Sequence, residues 1–125
     1  MLNDEQRGWL AEIDALIARA DWAGAKARIE EVQQRMEGPW ATRIFIQKGI
    51  VLQALGNARG ADQSFMTAYS VLKYGPEDDP ELQGILGRAC AELGLADEAR
   101  AAYQRVLAVR PDDEAARAGL ARLGS

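Results

Sequence analysis

Few side chains in this sequence are of types that could do chemistry on their own. Cys90 is a possible nucleophile, and the acidic run Glu77-Asp78-Asp79 is a possible site for a hard cation. Arg43 and Arg88 could each hold a carboxylate in a bidentate pair. The 125 residues include no histidine, which excludes histidine-based acid–base catalysis, histidine-activated nucleophiles and histidine-containing metal sites. A single cysteine also excludes a structural zinc site.

The cysteine and the acidic run have simpler structural interpretations. Cys90 follows Leu86 at helical spacing on an apolar stripe, and no pattern of basic residues is aimed at it, so we expect a buried, unreactive side chain. The acidic run lacks the Gly and bidentate Glu spacing of a calcium loop, so we expect a solvated turn that begins a helix. The sequence therefore predicts no catalytic residue, no metal site and no cofactor.

Composition and charge indicate one globular domain over residues 1–125. Hydrophobic residues make up 48% of the chain, and the net charge is −4, with basic residues scattered among acids. This pattern disfavours nucleic-acid binding, which needs a clustered basic face. No apolar run approaches the roughly 20 residues of a membrane span, and the acidic start lacks the features of a signal peptide. We expect no membrane insertion and a cytoplasmic location, and the Ala/Arg/Gly-rich composition indicates a bacterial source.

Hydrophobic periodicity predicts helices nearly throughout the chain. Apolar residues recur at i, i+3/i+4 and i+7 in seven segments, and no segment alternates as a strand would. Asp21 is expected to cap the second helix, and Gly38-Pro39, Gly56-Asn57 and Gly75-Pro76 are expected to separate helices. The pattern predicts about seven helices arranged as antiparallel hairpins in series.

The hairpins repeat with spacings of 36 and 38 residues. The register is defined by alanines in the second helix of each hairpin: Ala25, Ala61 and Ala99. Four residues later stand large side chains: Ile29, Phe65 and Tyr103. Five residues earlier, at the turn, stand small ones: Ala20, Gly56 and Gly94. Twelve residues earlier stand Ile13, Gly49 and Gly87. Small residues suit close helix crossings and large ones fill the space between neighbouring hairpins.

This repeat resembles the tetratricopeptide repeat, a helix-turn-helix of about 34 residues. The third repeat matches best, through Leu86-Gly87, Cys90, Gly94, the Ala99 and Tyr103 pair, and Pro111. We expect repeats at about residues 6–39, 42–75 and 80–113, followed by a capping helix at about 112–123. The resemblance implies an all-α, right-handed α-solenoid that mediates protein–protein interaction without catalysis.

Several positions depart from the family pattern. Glu12 and Lys48 stand where the family usually has Leu, and Gln83 replaces an aromatic residue. The extra residues fall at Gly38-Pro39 and in the loop 75–80. We expect them to extend the helices or to bend the superhelix slightly.

The resemblance also implies a concave groove lined by the first helix of each repeat. Helical geometry then selects the residues beside the packing stripe. These are Arg7, Leu10, Asp14, Ile17, Arg43, Ile46, Ile50, Gln53, Glu81, Arg88 and Glu92. The aliphatic members would form a floor for an apolar peptide or helix, unless the central hairpin is simply more buried or the first helix folds across it. Arg43 and Arg88 would orient a partner, unless they pair with Asp14, Glu81 or Glu92 as ordinary surface arginines.

Two functions remain open from the sequence. The first is an adaptor or scaffold that captures a peptide or helix of a partner protein. The second is a self-associating structural subunit, which would form a homo-oligomer through exposed ends or edges. The family subset that holds the C-terminal carboxylate of chaperones uses Lys and Asn at fixed groove positions. Those positions carry Leu10, Asp14, Ile46, Ile50, Gly84 and Arg88 here, so that type of co-chaperone is disfavoured.

Overall fold

The computed structural model describes residues 2–124, and within that range it contains seven α-helices and no strand. The α-helices are α1 (Asp4–Ala18), α2 (Trp22–Val32), α3 (Arg43–Ala54), α4 (Ala58–Leu72), α5 (Pro80–Glu92), α6 (Ala96–Val109) and α7 (Glu114–Arg122). The prediction of an all-α chain with seven helices is confirmed. The right-handed superhelical arrangement stays a prediction, as does the division into repeats within one domain.

The chain forms two compact units, one up to Ser64 and one from Phe65 onward, and the boundary falls inside α4. In the first unit, α3 packs against both members of the α1–α2 hairpin. In the second, α7 packs against both members of the α5–α6 hairpin. Each unit therefore contains a hairpin whose apolar faces are covered by a third helix, because a hairpin alone cannot bury them.

The first unit is built around aliphatic side chains. Leu10 and Ile13 of α1, Ile29 of α2, and Ile44 and Val51 of α3 are buried in one cluster. At the solvent side of the hairpin, Nε of Arg28 donates to Glu12 at 3.1 Å and its Nη1 donates to Glu31 at 2.6 Å. Glu12, which replaces the usual Leu of the family, therefore joins the two helices through an ion pair at the surface.

The three hairpin turns have the same backbone structure. Ala20, Gly56 and Gly94 have φ values of 58°, 83° and 79°. At each turn the next residue's N–H reaches a carbonyl five residues back: Asp21 to Leu16 at 2.9 Å, Asn57 to Leu52 at 2.8 Å and Leu95 to Cys90 at 2.8 Å. This is the Schellman arrangement that ends helices on a left-handed residue. The small residue at this position of each repeat is therefore set by backbone conformation.

Short side chains cap five of the α-helices. Before α1, Asn3 accepts a hydrogen bond from the backbone N–H of Gln6 at 2.8 Å. Asp21, Asn57, Asp79 and Asp113 each accept a hydrogen bond from the backbone N–H three residues later, at 2.8–3.0 Å. Such caps satisfy N–H groups that have no partner within the helix. The expected cap at Asp21 is confirmed, and Asp79 begins α5 as expected for the acidic run.

The extra residues of the first repeat junction do not extend a helix. The α-helical part of α2 ends at Val32, and 3₁₀ turns follow at Gln33–Arg35 and Pro39–Thr42. Gly38 lies between them with φ 80°, which favours glycine, and Pro39 begins the second turn. The expectation of extended helices at this junction was wrong, because the additional residues form these 3₁₀ turns instead.

The longer loop before α5 is held by a buried glutamine. Gln83 is 2% exposed; its Nε2 donates to the carbonyl of Pro76 at 3.0 Å, and its Oε1 accepts from Nη1 of Arg105 at 3.2 Å. Arg105 also lies 3.8 Å from the carboxylate of Glu77. Gln83 therefore replaces the usual aromatic residue with a polar link between the loop, α5 and α6.

Candidate partner-binding surfaces

A polar cluster joins α1 to α3 in the first unit. The guanidinium of Arg43 donates through Nη2 to Oδ2 of Asp14, and Nε2 of Gln47 donates to Oδ1 of Asp14 and to the carbonyl of Leu10, both at 2.8 Å. Arg43 therefore pairs with Asp14, as expected for the alternative in which Arg43 is an ordinary surface arginine. The side chains of Arg43 and Asp14 are still 41% and 44% exposed. The pair consequently lies at an accessible surface.

Two predicted floor residues are buried, which is the alternative that the sequence left open for the aliphatic floor. Leu10 is 1% exposed and belongs to the core of the first unit, and Ile46 is 8% exposed. Leu10 is buried because α3 packs on both α1 and α2, and Leu10 belongs to the buried cluster that these helices share. The buried side of α3 also includes Gln47, a polar residue that periodicity alone did not mark.

The remaining predicted residues of the first unit form a partly accessible surface. Ile17 and Ile50 are half-buried, and Ile17 packs against the core of this unit. Arg7 on α1 and Gln53 on α3 are exposed. Together with the Arg43–Asp14 pair, these residues combine aliphatic and charged groups on the first helices of two successive hairpins.

The predicted residues of the second unit lie on α5. Nε of Arg88 donates to Glu92 one turn later at 3.1 Å. Arg88 therefore also forms an ion pair within its own helix, as expected for the alternative in which it is an ordinary surface arginine. Glu81, in the first turn of α5, is half-buried. The ion pair does not bury Arg88, whose side chain is 34% exposed.

Arg88 and Glu92 border a cleft that the sequence did not predict. The cleft has a volume of about 230 Å³ and is formed by α5, α6 and α7. It is lined by Arg88, Ala91, Glu92, Tyr103, Gly119, Arg122 and Leu123. We call it the Arg88–Arg122 cleft. The sequence did not predict the residues that α6 and α7 contribute to this cleft. Their one signal in the sequence is Gly119, because a glycine inside a helix often marks a close approach of another part of the chain.

Tyr103 lies between two glycines beside this cleft. A β-carbon at Gly87 would lie 2.7 Å from Cε1 of Tyr103, and one at Gly119 would lie 2.5 Å from its Cζ. The ring therefore occupies space that any other residue at either position would fill. Burial raises the pKa of Tyr103, while the positive charges of Arg88 and Arg122 act in the opposite direction. Both guanidinium groups are thus close enough to influence this phenol.

Cys90 is buried, as expected. Burial is the main cause that raises the pKa of its thiol to about 11, and the charge of Glu98 adds to the effect. A thiol with a raised pKa has little thiolate at neutral pH, and the thiolate is the reactive form. The prediction of a small buried hydrophobic side chain is confirmed.

Two kinds of feature are absent from residues 2–124. Among these residues there is no group of three or more Cys, Asp or Glu side chains placed to hold a metal ion. Over the same range no helix combines the length and hydropathy needed to cross a bilayer.

The seven helices, with no strand among residues 2–124, are consistent with a helical solenoid of the tetratricopeptide repeat type. Residues 80–123, which span α5, α6 and α7, match the family model of the tetratricopeptide repeat. This match confirms the resemblance for the third repeat and final helix and supports a tetratricopeptide repeat protein. No curated protein matches the chain. Tetratricopeptide repeats generally mediate protein–protein interaction, and the family is typically non-catalytic.

Proposed function

We propose that this protein is a non-catalytic adaptor or scaffold that binds a peptide or helix of a partner protein on the first helices of its repeats. The partner would contact the exposed or half-buried members of the predicted set: Arg7, Asp14, Ile17, Arg43, Ile50, Gln53, Glu81, Arg88 and Glu92. Leu10 and Ile46 are left out because they are buried.

One observation carries the proposal: the arginines on both surfaces are paired but remain accessible. Exposed ion pairs contribute little to stability, so opening one costs little. The guanidinium of Arg43 or Arg88 can therefore exchange its own carboxylate for one from a partner. Ile17 and Ile50 add apolar contact area on the first unit, which suits a helix or peptide with aliphatic side chains.

The experiment is a pull-down from a lysate of the source cells with a matched pair of variants. The test variant Ile50→Asn/Gln53→Glu changes an apolar residue and a glutamine three positions apart on α3. The control variant Gln63→Glu/Met66→Asn also changes one glutamine to glutamate and one apolar residue to asparagine, three positions apart, on α4, where both residues are exposed. We expect the test variant to lose at least about nine-tenths of the captured partner, consistent with removal of one buried anchor.

The control variant should retain the partner, and circular dichroism should show both variants folded. Equal loss from the two variants, or equal retention, would contradict binding through this surface.

Self-association is a second candidate function. It is favoured by large apolar side chains exposed on and after α4, namely Met66, Val71 and Tyr74, the last of which is 88% exposed. Exposed apolar patches often mark contacts between proteins. Light scattering over a wide range of concentrations tests this candidate: a mass that rises with concentration supports it, and a constant monomer mass removes it. The cytoplasmic location and bacterial source stay predictions.

A further inference from the structure

The Arg88–Arg122 cleft brings two positive charges to one small cavity. Arg88 reaches it from α5 and Arg122 from the last turn of α7. Glu92 is the only acidic side chain among the lining residues, and it pairs with Nε of Arg88. The hydrogen bond to Glu92 uses Nε of Arg88, and the two Nη groups of Arg88 are further donors. Arg122 is exposed. The cleft therefore carries an excess of positive charge.

The walls of the cleft are apolar between these charges. Ala91, Leu123 and the ring of Tyr103 line it, and Gly119 adds no side chain to it. Its volume of about 230 Å³ lies below the roughly 300–1,000 Å³ of pockets for drug-sized ligands. The space suits one side chain with a short aliphatic stem and an anionic end.

We propose that the Arg88–Arg122 cleft binds the side-chain carboxylate of a glutamate or aspartate within a partner peptide. The carboxylate would lie between the two guanidinium groups, and its methylene groups would contact Tyr103 and Leu123. Arginine is suited to this role because its planar donors match a carboxylate in paired hydrogen bonds. The inference gives the proposed function a ligand chemistry and rests on it for biological use, but the binding itself is measurable on the purified protein.

The test is a titration followed by nuclear magnetic resonance with three small probes. The first is acetyl-Gly-Glu-Gly amide, the second is the neutral isostere acetyl-Gly-Gln-Gly amide, and the third is acetyl-Gly-Leu with a free C-terminal carboxylate. We expect the glutamate probe to shift the Nε–Hε signals of Arg88 and Arg122 and the ring signals of Tyr103 in a saturable manner. The glutamine probe should bind at least about tenfold more weakly, because it lacks the charge that the arginines recognise.

Two variants of α7 make the test specific. Arg122→Gln should weaken binding of the glutamate probe about tenfold, whereas Arg117→Gln, an exposed arginine of the same helix outside the cleft, should leave it unchanged. Circular dichroism confirms that both variants are folded. Equal binding of the glutamate and glutamine probes, or an unchanged affinity in Arg122→Gln, would overturn the proposal.

The third probe separates an internal acidic residue from a chain terminus. If acetyl-Gly-Leu binds as tightly as the glutamate probe, the assignment to an internal side chain is wrong. Because no partner protein enters this experiment, its failure does not affect the pull-down. Conversely, a pull-down that fails through the α3 surface leaves the titration result unchanged.

Discussion

The helix crossings of the first and third hairpins fill the same space in different ways. In the first unit, Ile13 of α1 and Ile29 of α2 are both buried in an aliphatic core. At the corresponding positions of the second unit stand Gly87 of α5 and Tyr103 of α6. The first hairpin thus places two side chains of medium size at the crossing. The third hairpin places a glycine, which has no side chain, on α5 and a tyrosine ring on α6.

This difference shows that the two units fill corresponding positions with different combinations of side chains. It also predicts different sensitivities. The stability of an aliphatic core is lowered mainly by substitutions that remove contacts. A ring held between Gly87 and Gly119 is disturbed mainly by substitutions that add atoms. The two units carry separate probes for such tests, because Trp9, Trp22 and Trp40 lie in the first unit and all three tyrosines in the second.

The largest effect is expected for Gly87→Leu. The added side chain would overlap the Tyr103 ring, and the ring cannot move aside because Gly119 is close to it on another side. The free energy of unfolding should therefore fall by about 1–3 kcal/mol. Ile13→Val in the first unit should cost less, about 0.5–1.5 kcal/mol. Urea unfolding followed by circular dichroism, tryptophan fluorescence and tyrosine fluorescence measures both.

A double variant sharpens this prediction. Gly87→Ile/Tyr103→Ile installs the residue pair of the first hairpin in the third. Its loss of stability should be smaller than the sum of the losses of the two single variants, because each change relieves the misfit caused by the other. A strictly additive result, or an unchanged stability of Gly87→Leu, would contradict the crossing described for the second unit.

The turns offer a second comparison, between Ala20 and Gly94. Both have positive φ, a conformation that costs a non-glycine residue roughly 1–2 kcal/mol. Gly94→Ala should therefore destabilise the protein by about 1–2 kcal/mol. Ala20→Gly should stabilise it by up to about 1 kcal/mol, less than the full strain because glycine also gains entropy in the unfolded chain. Thermal unfolding of the two variants tests the pair, and a stabilising Gly94→Ala would be inconsistent with a common turn.

Alkaline pH should also separate the two units. The pKa of Cys90 is raised to about 11 by burial, and burial also raises the pKa of Tyr103. The unfolded chain, whose thiol keeps a pKa near 9, loses its proton first, so stability is fully present below about pH 9 and falls as pH rises towards 11. The slope should not exceed about 1.4 kcal/mol per pH unit for one proton.

Cys90→Ala is the matched variant for this pH dependence. It should reduce the slope between pH 9 and 11 and leave a residual slope from the tyrosines, of which Tyr69 has a pKa raised to about 12, chiefly by its hydrogen bond to Glu98. Urea unfolding at several pH values measures the slopes. Identical slopes for the two proteins would show that the thiol is already ionised or exposed in the folded state.

The sequence predicted those features that depend on local pattern. Seven helices, the glycine turns and the cap at Asp21 follow from periodicity and from the φ and hydrogen-bonding preferences of single residues. The burial of Leu10 was left open, and the cleft at Arg122 was missed, because both depend on where a third helix packs on a hairpin. That position is set by contacts between residues far apart in sequence, which a helical stripe does not encode.

The smallest effect is expected at the start of α5, where the loop before the second unit's hairpin is held by polar groups. Asp79 accepts the N–H of Leu82 at 3.0 Å, so Asp79→Ala should lower the free energy of unfolding by about 1 kcal/mol. Its neighbour Asp78 is exposed and does not cap the helix, so Asp78→Ala should change stability by less than about 0.5 kcal/mol. Equal losses of stability in the two variants would mean that the acidic run acts through its total charge. The cap at Asp79 would then not explain how this loop is held. A larger effect of Asp79→Ala, by contrast, would show that the hydrogen bond of the cap, and not the charge of the acidic run, stabilises the start of α5.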